Sequence, residues 1–303
     1  MPIVPMQEMM RDAHNRHYCL CYCESWNLES AQAVIQAAEE LKAPAVVGFN
    51  GGFLMHPRRS RPESLAWYAC LRLGFESTPV PAGFLLNEAG SLDQIREAIQ
   101  FGFNAVMLEN DGLSLREYRL LVKELVQLAR GSGVWVEAQI GTLPCGNGQG
   151  CGAGQITDPD IAAAFVADTG IDALAVSIGN IHVLTHGEAF IDLEALRRIR
   201  NRVDVPLVIH GGTSLNCAVV KDLIALGVAK INFGTVLKQV YLEAVREALS
   251  LYYFPSDPHE YLGKGGKNDI LTAGREALKK KVAELTRVCG AAGRTEHDFC
   301  AAI

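Results

Sequence analysis

The sequence carries no surplus of basic residues. Its 28 Lys and Arg stand against 34 Asp and Glu, a formal charge of −6. That balance argues against nucleic acid or an anionic membrane surface as the main partner, and leaves room only for a small local anion site. There is no helix-turn-helix or zinc-finger signature. There is no dinucleotide fingerprint either, because Asn50-Gly51-Gly52 lacks the G-x-G-x-x-G spacing. No apolar run reaches the roughly 18 residues that a membrane span needs. The opening MPIVPMQEMMRDAHNRHY is mixed and charged, so no secretory leader is expected. No short-period repeat stands out. The nine cysteines, an odd number spread along the chain, read as reduced thiols of a cytoplasmic protein.

What is present is a chain 49% hydrophobic and 20% charged, the balance of a globular protein with a large core. Short apolar runs bounded by Gly, Pro, Asn or Asp read as strands at 17–24, 44–50, 79–86, 104–109, 133–140, 172–178, 205–210 and 228–233. Amphipathic segments between them predict helices over 28–41, 63–73, 91–101, 115–129, 160–168, 193–202, 215–226 and 236–249. Ser91 and Gln94 have the spacing of a capping box. Eight strands alternating with eight helices predict an α/β fold, a (β/α)8 TIM barrel, rather than an open doubly wound sheet. A linker and an additional C-terminal helix over 279–289 follow. The expected organisation is one TIM-barrel domain over 1–303, with the barrel over about 17–250 and the linker and helix in 251–303.

In such barrels the chemistry sits at the C-terminal ends of the strands. Strand three ends in Asn87-Glu88, strand five carries Glu137 and Gln139, and strand six runs on to His182. Strand seven ends in His210, followed by Gly211-Gly212-Thr213-Ser214; strand eight ends in Asn232-Phe233-Gly234-Thr235. His182, His210 and Glu88 could form a two-histidine, one-carboxylate metal site with an open position. They could equally be polar groups hydrogen-bonded at the barrel mouth. Gly211, Gly212 and Thr213 open a helix and, with Gly234 and Thr235, could cradle a phosphate on backbone N–H groups. The plainer alternative is a tight turn with an N-cap.

The segment VIHGGTSLNCAVVKDLIALGVAKINFGTVLKQVYLEAVREAL resembles the C-terminal half of the class II, metal-dependent ketose-bisphosphate aldolases. There the pattern is HGGSG, a helix, then GVAKIN-x-[ND]-T. LAVSIGNIHVLTHGEAFIDLEALRRI resembles the family's AIGTAHG segment and its following helix, and the resemblance spans nearly the whole chain. It implies a lyase of carbohydrate metabolism, cleaving or forming a carbon–carbon bond of a phosphorylated ketose through a metal-stabilised enediolate. It also implies a divalent metal, most often Zn2+, and a homodimer or homotetramer. By motif, His182 and His210 match two metal ligands. Gly211 and Thr213 match the phosphate loop, and Asn232 and Thr235 the last-strand segment. Gly234 and Val183 depart from the pattern.

Strand three departs further. Where the family reads H-L-D-H-G, with an acid/base Asp and a ligand His, this chain reads Leu85-Leu86-Asn87-Glu88-Ala89. Without a gap, Asn87 takes the acid position and Glu88 the ligand position. Slipped by one, Glu88 takes the acid position and Ala89 the ligand position. Glu137 is kept after the family's pattern. An amide does not titrate usefully, so Glu109, Asp111, Glu137 or His186 would have to move the proton. The expectation is an aldolase-type enzyme with altered acid/base chemistry; the alternative is a sugar-phosphate-binding pseudoenzyme. A Schiff base at Lys230 is disfavoured because Lys230 opens the last strand, away from the active face. Three further readings complete the survey. Cys19, Cys21 and Cys23 share a strand face and read as core. The loop CGNGQGCGAGQ over 145–155 reads as a lid, with Cys145 and Cys151 as a remote disulfide candidate. His56-Pro57-Arg58-Arg59 reads as a solvated loop.

Overall fold

The computed structural model describes residues 3–146, 154–184, 187 and 189–295. Eight parallel strands close into a barrel: β1 (Leu20–Glu24), β2 (Ala45–Asn50), β3 (Ala82–Ala89), β4 (Ala105–Leu108), β5 (Trp135–Ile140), β6 (Ala173–Val176), β7 (Leu207–Ile209) and β8 (Val228–Phe233). Each strand pairs with its sequence neighbours, and β1 closes on β8 through Leu20 opposite Lys230 and Tyr22 opposite Asn232. The barrel expectation is met.

Alternation along the strands sorts side chains into two cores. Leu20, Tyr22, Val46, Leu85, Trp135, Val208 and several alanines fill the barrel interior. The helix Met6–Asn15 closes the N-terminal mouth, sending Met6, Met9 and Met10 into that interior. The sequence pattern predicts no element for this segment. Cys19, Cys21 and Cys23 point outward into the core between strands and helices. Burial pushes the Cys19 and Cys23 thiols well up, so they pack as small hydrophobes, as expected. Gly48 has no alternative: a Cβ there would meet the Leu85 carbonyl oxygen at 1.9 Å.

Caps fix where helices begin. Asn27 and Ser114 form reciprocal capping boxes with Ser30 and Glu117. Ser91 accepts from the Gln94 N–H, but the Gln94 side chain reaches the Gly90 N–H instead, so that cap is only half a box. The single helix expected over 63–73 is two short ones, Ala66–Ala69 and Arg72–Glu76. The C-terminal helix begins nine residues earlier than expected and runs Ile270–Val288, its start fixed by Asp269 accepting from the Leu271 and Thr272 N–H groups. It packs on the helices Leu28–Leu41 and Thr235–Leu249. No helix of the described residues is long and apolar enough to cross a membrane.

Candidate active site

Among the described residues, the strand-end polar groups gather at one end of the barrel. Strand β3 runs to Ala89, three residues past its expected end, and its pairing with β4 shifts register between Leu86 and Ala89. Glu88 sits there at φ 51°, the left-handed region that a non-glycine residue enters at a cost of about 1–3 kcal/mol. Consecutive strand residues normally face opposite ways. This irregularity lets both Asn87 and Glu88 face inward, a device common beside functional sites. Both line the same small cleft at the mouth.

His182 arrives from the loop after β6. Its backbone N–H donates to Pro144 O at 3.0 Å, and Val183–Leu184 pairs in parallel with Cys145–Gly146. His210 follows β7 directly and is 2% exposed. Its Nε2 lies 2.8 Å from Glu137 Oε1, and its Nδ1 lies 3.5 Å from Glu88 Oε1. The same Glu88 oxygen is 3.5 Å from His182 Nε2. Glu88 Oε2 accepts from the Asn50 side-chain amide. Beneath them Lys230 Nζ sits 3.0 Å from Glu137 Oε2 and donates to Asn232 Oδ1. Asn232 Nδ2 stands 2.9 Å from His210 Nε2 and 3.5 Å from Asn87 Oδ1.

The charges are mutually dependent. Burial opposes ionisation of Glu137, but the Lys230 charge and the His210 hydrogen bond outweigh it and lower its pKa. Burial pulls His210 down, but the Glu137 and Glu88 hydrogen bonds outweigh it and raise the imidazole. For Glu88 burial again opposes charge, and the His210 hydrogen bond with the His182 and His210 charges wins, taking the carboxyl from 4.5 to about 2. A depressed carboxyl stabilises the fold above its unfolded value, and that contribution is lost as pH falls from 4.5 toward 2. In chelator-treated protein, urea unfolding should lose about 3 kcal/mol of Glu88-linked stability across that window. Glu88→Gln should flatten this acid limb; an unchanged limb would contradict the geometry.

Among the described residues no three His, Cys, Asp or Glu side chains form a finished metal cage. The donor chemistry nevertheless fits one. With Nε2–H given to Glu137, His210 turns an Nδ1 lone pair toward an ionised Glu88. Lone pair and carboxylate tolerate that only with a cation between them, a proton or a metal ion. The 3.5 Å separations to Glu88 Oε1 are at the long limit of a hydrogen bond. They are close to the roughly 3.4 Å between two ligands held about 2.1 Å from one tetrahedral ion. Glu137 would then be the carboxylate that orients a ligating histidine.

A small cleft of about 50 Å³ adjoins this cluster, lined among others by Gly211, Thr213, Gly234, Thr235 and Lys238. Gly211 has φ 68°, and a Cβ there would meet Ile181 O at 2.1 Å; one on Gly212 would meet the Phe233 ring at 2.6 Å. The helix Thr235–Leu249 starts without a side-chain cap from Gly234, while Thr213 Oγ1 accepts from Val236 N–H at 3.0 Å. A glycine-rich turn, a helix start and an ammonium group are the elements from which an anion site is built. Lys238 also pairs with Glu24 Oε1 at 2.5 Å.

Sequence reasoning missed Asn50, Glu24 and Lys238. Asn50 and Glu24 end their strands, the signal already used for His210, and Lys238 lies one turn into a helix already under suspicion. It also misplaced Lys230. That residue is third in β8, not first, and its ammonium group rises inside the barrel to the site. Residues 147–153, His186 and Cys151 lie outside the described residues, as does the side chain of Cys145, so the lid and disulfide readings are not addressed. His56 lines the mouth; Arg58 and Arg59 do not.

A closed parallel barrel gathers paired histidines, buried carboxylates and a glycine-rich turn at its C-terminal mouth, where barrel enzymes place their active sites. The chain belongs to the class II fructose-bisphosphate aldolase family: the family described as "Fructose-bisphosphate aldolase class-II" matches residues 4–294. It is 32% identical to a probable fructose-bisphosphate aldolase of Bacillus subtilis, over 97% of this chain and 100% of the relative. It is 30% identical to 6-phospho-5-dehydro-2-deoxy-D-gluconate aldolase of Halalkalibacterium halodurans, over 98% and 99%. The crystal structure of the YdjI aldolase from Escherichia coli K12 superposes with a TM-score of 0.81 at 30% identity, covering 97% of this chain and 100% of that one.

Proposed function

We propose that the protein is a divalent-metal-dependent aldolase acting on a phosphorylated ketose. The observation that carries this reading is His210, pinned by Glu137 on one nitrogen and turned with the other toward the Glu88 oxygen that His182 also faces. Glu88, His182 and His210 are the residues that would hold the metal, with Zn2+ the expected ion. When bound, a divalent ion supplies Lewis-acid polarisation of the ketose carbonyl and of the enediolate derived from it.

The chain's own groups do the rest. Gly211, Gly212, Thr213, Gly234 and Thr235, with Lys238, bind the phosphate and set the substrate's register. Asn232 and Asn87 present amides to substrate oxygens. Glu137 stays locked between Lys230 and His210, so it orients the histidine and carries no proton to substrate. The proton on the hydroxyl next to the cleaved bond falls to Glu109. It lines the larger cavity at the mouth, and burial and the nearby Glu88 charge raise its carboxyl. In cleavage Glu109 accepts that proton, the C–C pair passes to the enediolate, and the aldehyde leaves; condensation reverses each transfer. We read the protein as a cytoplasmic homodimer or homotetramer. The exposed strip containing Leu251, Tyr253 and Phe254 supports self-association.

Asn87 in place of a titrating acid favours a second reading, a binding protein without turnover. Solvent deuterium entry into dihydroxyacetone phosphate separates the two. The aldolase reading expects exchange that stops with chelator and returns with zinc. It also expects Thr213→Asp to raise the KM at least about tenfold through repulsion at the cradle. Saturable phosphate binding with no exchange would establish the binding protein instead.

A further inference from the structure

The barrel mouth distributes its charge unevenly. Lys238, paired with Glu24, lines the small cleft beside the Gly211–Thr213 turn and the start of the helix Thr235–Leu249. Beside it opens a cavity of about 680 Å³ lined by Glu88, Glu109, Asp111 and Asp158, and by no Lys or Arg among the described residues. Arg59, on the loop after β2, is spent on Phe53 O at 2.7 Å and Glu63 at 2.8 Å. Neutral hydrogen-bonding groups, Asn110 and Gln139 among them, complete the lining.

We propose that the substrate carries a single phosphate, bound on the Lys238 side, and that its other half is an uncharged polyhydroxy aldehyde of about four carbons or more. This rests on the aldolase reading above. A second phosphate in the large cavity would lose water, face carboxylates and find no Lys or Arg among the described residues to pair with. Hydroxyl groups suit the same wall, since they donate to carboxylates and exchange hydrogen bonds with amides. The volume is of the class that holds drug-sized ligands, roughly 300–1,000 Å³, and exceeds the needs of a three-carbon aldehyde. Glu109 thus stands where the new hydroxyl forms, with the neutral tail beyond it.

The test is condensation by the zinc-loaded protein of dihydroxyacetone phosphate with neutral four- and five-carbon aldoses, against condensation with glyceraldehyde 3-phosphate. Deuterium exchange into dihydroxyacetone phosphate is followed in parallel. The neutral aldoses should lead in kcat/KM by about 100-fold. Asp111→Lys, at an exposed position, should move the ratio toward glyceraldehyde 3-phosphate by at least about tenfold. Preference for glyceraldehyde 3-phosphate in the unaltered protein would overturn the proposal. So would exchange without addition to any neutral aldose, though the aldolase reading would then stand. Absence of both exchange and addition would remove the two together.

Discussion

His210→Ala should lower kcat/KM by about a thousandfold or more while the barrel stays folded. The substitution deletes the Nδ1 that faces the Glu88 oxygen shared with His182, and with it the strongest candidate ligand of the metal. Loss of carbonyl polarisation is worth several kcal/mol of transition-state stabilisation, and about 4 kcal/mol is about a thousandfold. Folding should persist because Glu137 keeps Lys230 as its partner, 3.0 Å away. His182→Ala should act in the same direction through its half-exposed side chain, which other ligands replace more easily. The measurement is deuterium exchange into dihydroxyacetone phosphate alongside circular dichroism. A His210→Ala protein within about tenfold of the parent would show that the imidazole is structural.

Lys230→Met should be the most destabilising single change at the site. Lys230 is 0% exposed and Glu137 is 1% exposed, so removing the ammonium leaves a carboxylate buried without its countercharge. Breaking such a pair from one side costs about 3–5 kcal/mol. For a chain of this size that corresponds to a fall in Tm of about 10 °C. The double change Lys230→Met with Glu137→Leu should recover much of that loss, because neither charge is then buried. It should not recover activity, because His210 Nε2 would lack the oxygen that orients it. Thermal unfolding of the three variants decides the matter. A single variant within 2 °C of the parent, or a double variant as unstable as the single, would contradict a coupled pair.

The barrel was legible because eight apolar runs alternate with helical periodicity and carry their breakers with them. Errors came where polar function overrides those patterns. The apolar run of strand β3 stops at 86 and Asn87-Glu88 read as its polar end; the strand runs on to Ala89 because a register shift turns both side chains into the site. Lys230 reads as remote when only its place along the strand is counted. Its four-carbon stem spans the layer to Glu137, a reach the sequence pattern does not encode. The C-terminal helix was shortened because Gly274 and the preceding Gly-Lys run mimic a linker. Asp269, an N-cap, marked the true start. Asn50 was set aside with its glycines as a failed nucleotide motif, although its amide holds Glu88. His182, His210 and the Gly211–Thr213 turn were found because strand ends in a barrel converge on one mouth. That His210 would be held on both nitrogens follows only from the three-dimensional placement of Glu88 and Glu137.

The central claim is that Glu88, His182 and His210 hold a divalent ion. Elemental analysis tests it most directly, on protein purified without chelator and without a metal-binding tag, and again after zinc titration. The account expects close to one ion per chain, lost in both His182→Ala and His210→Ala. A protein that stays metal-free and refuses added zinc would contradict it, and would leave a neutral buried cluster of two carboxylates, an imidazolium and an ammonium as the whole purpose of the site.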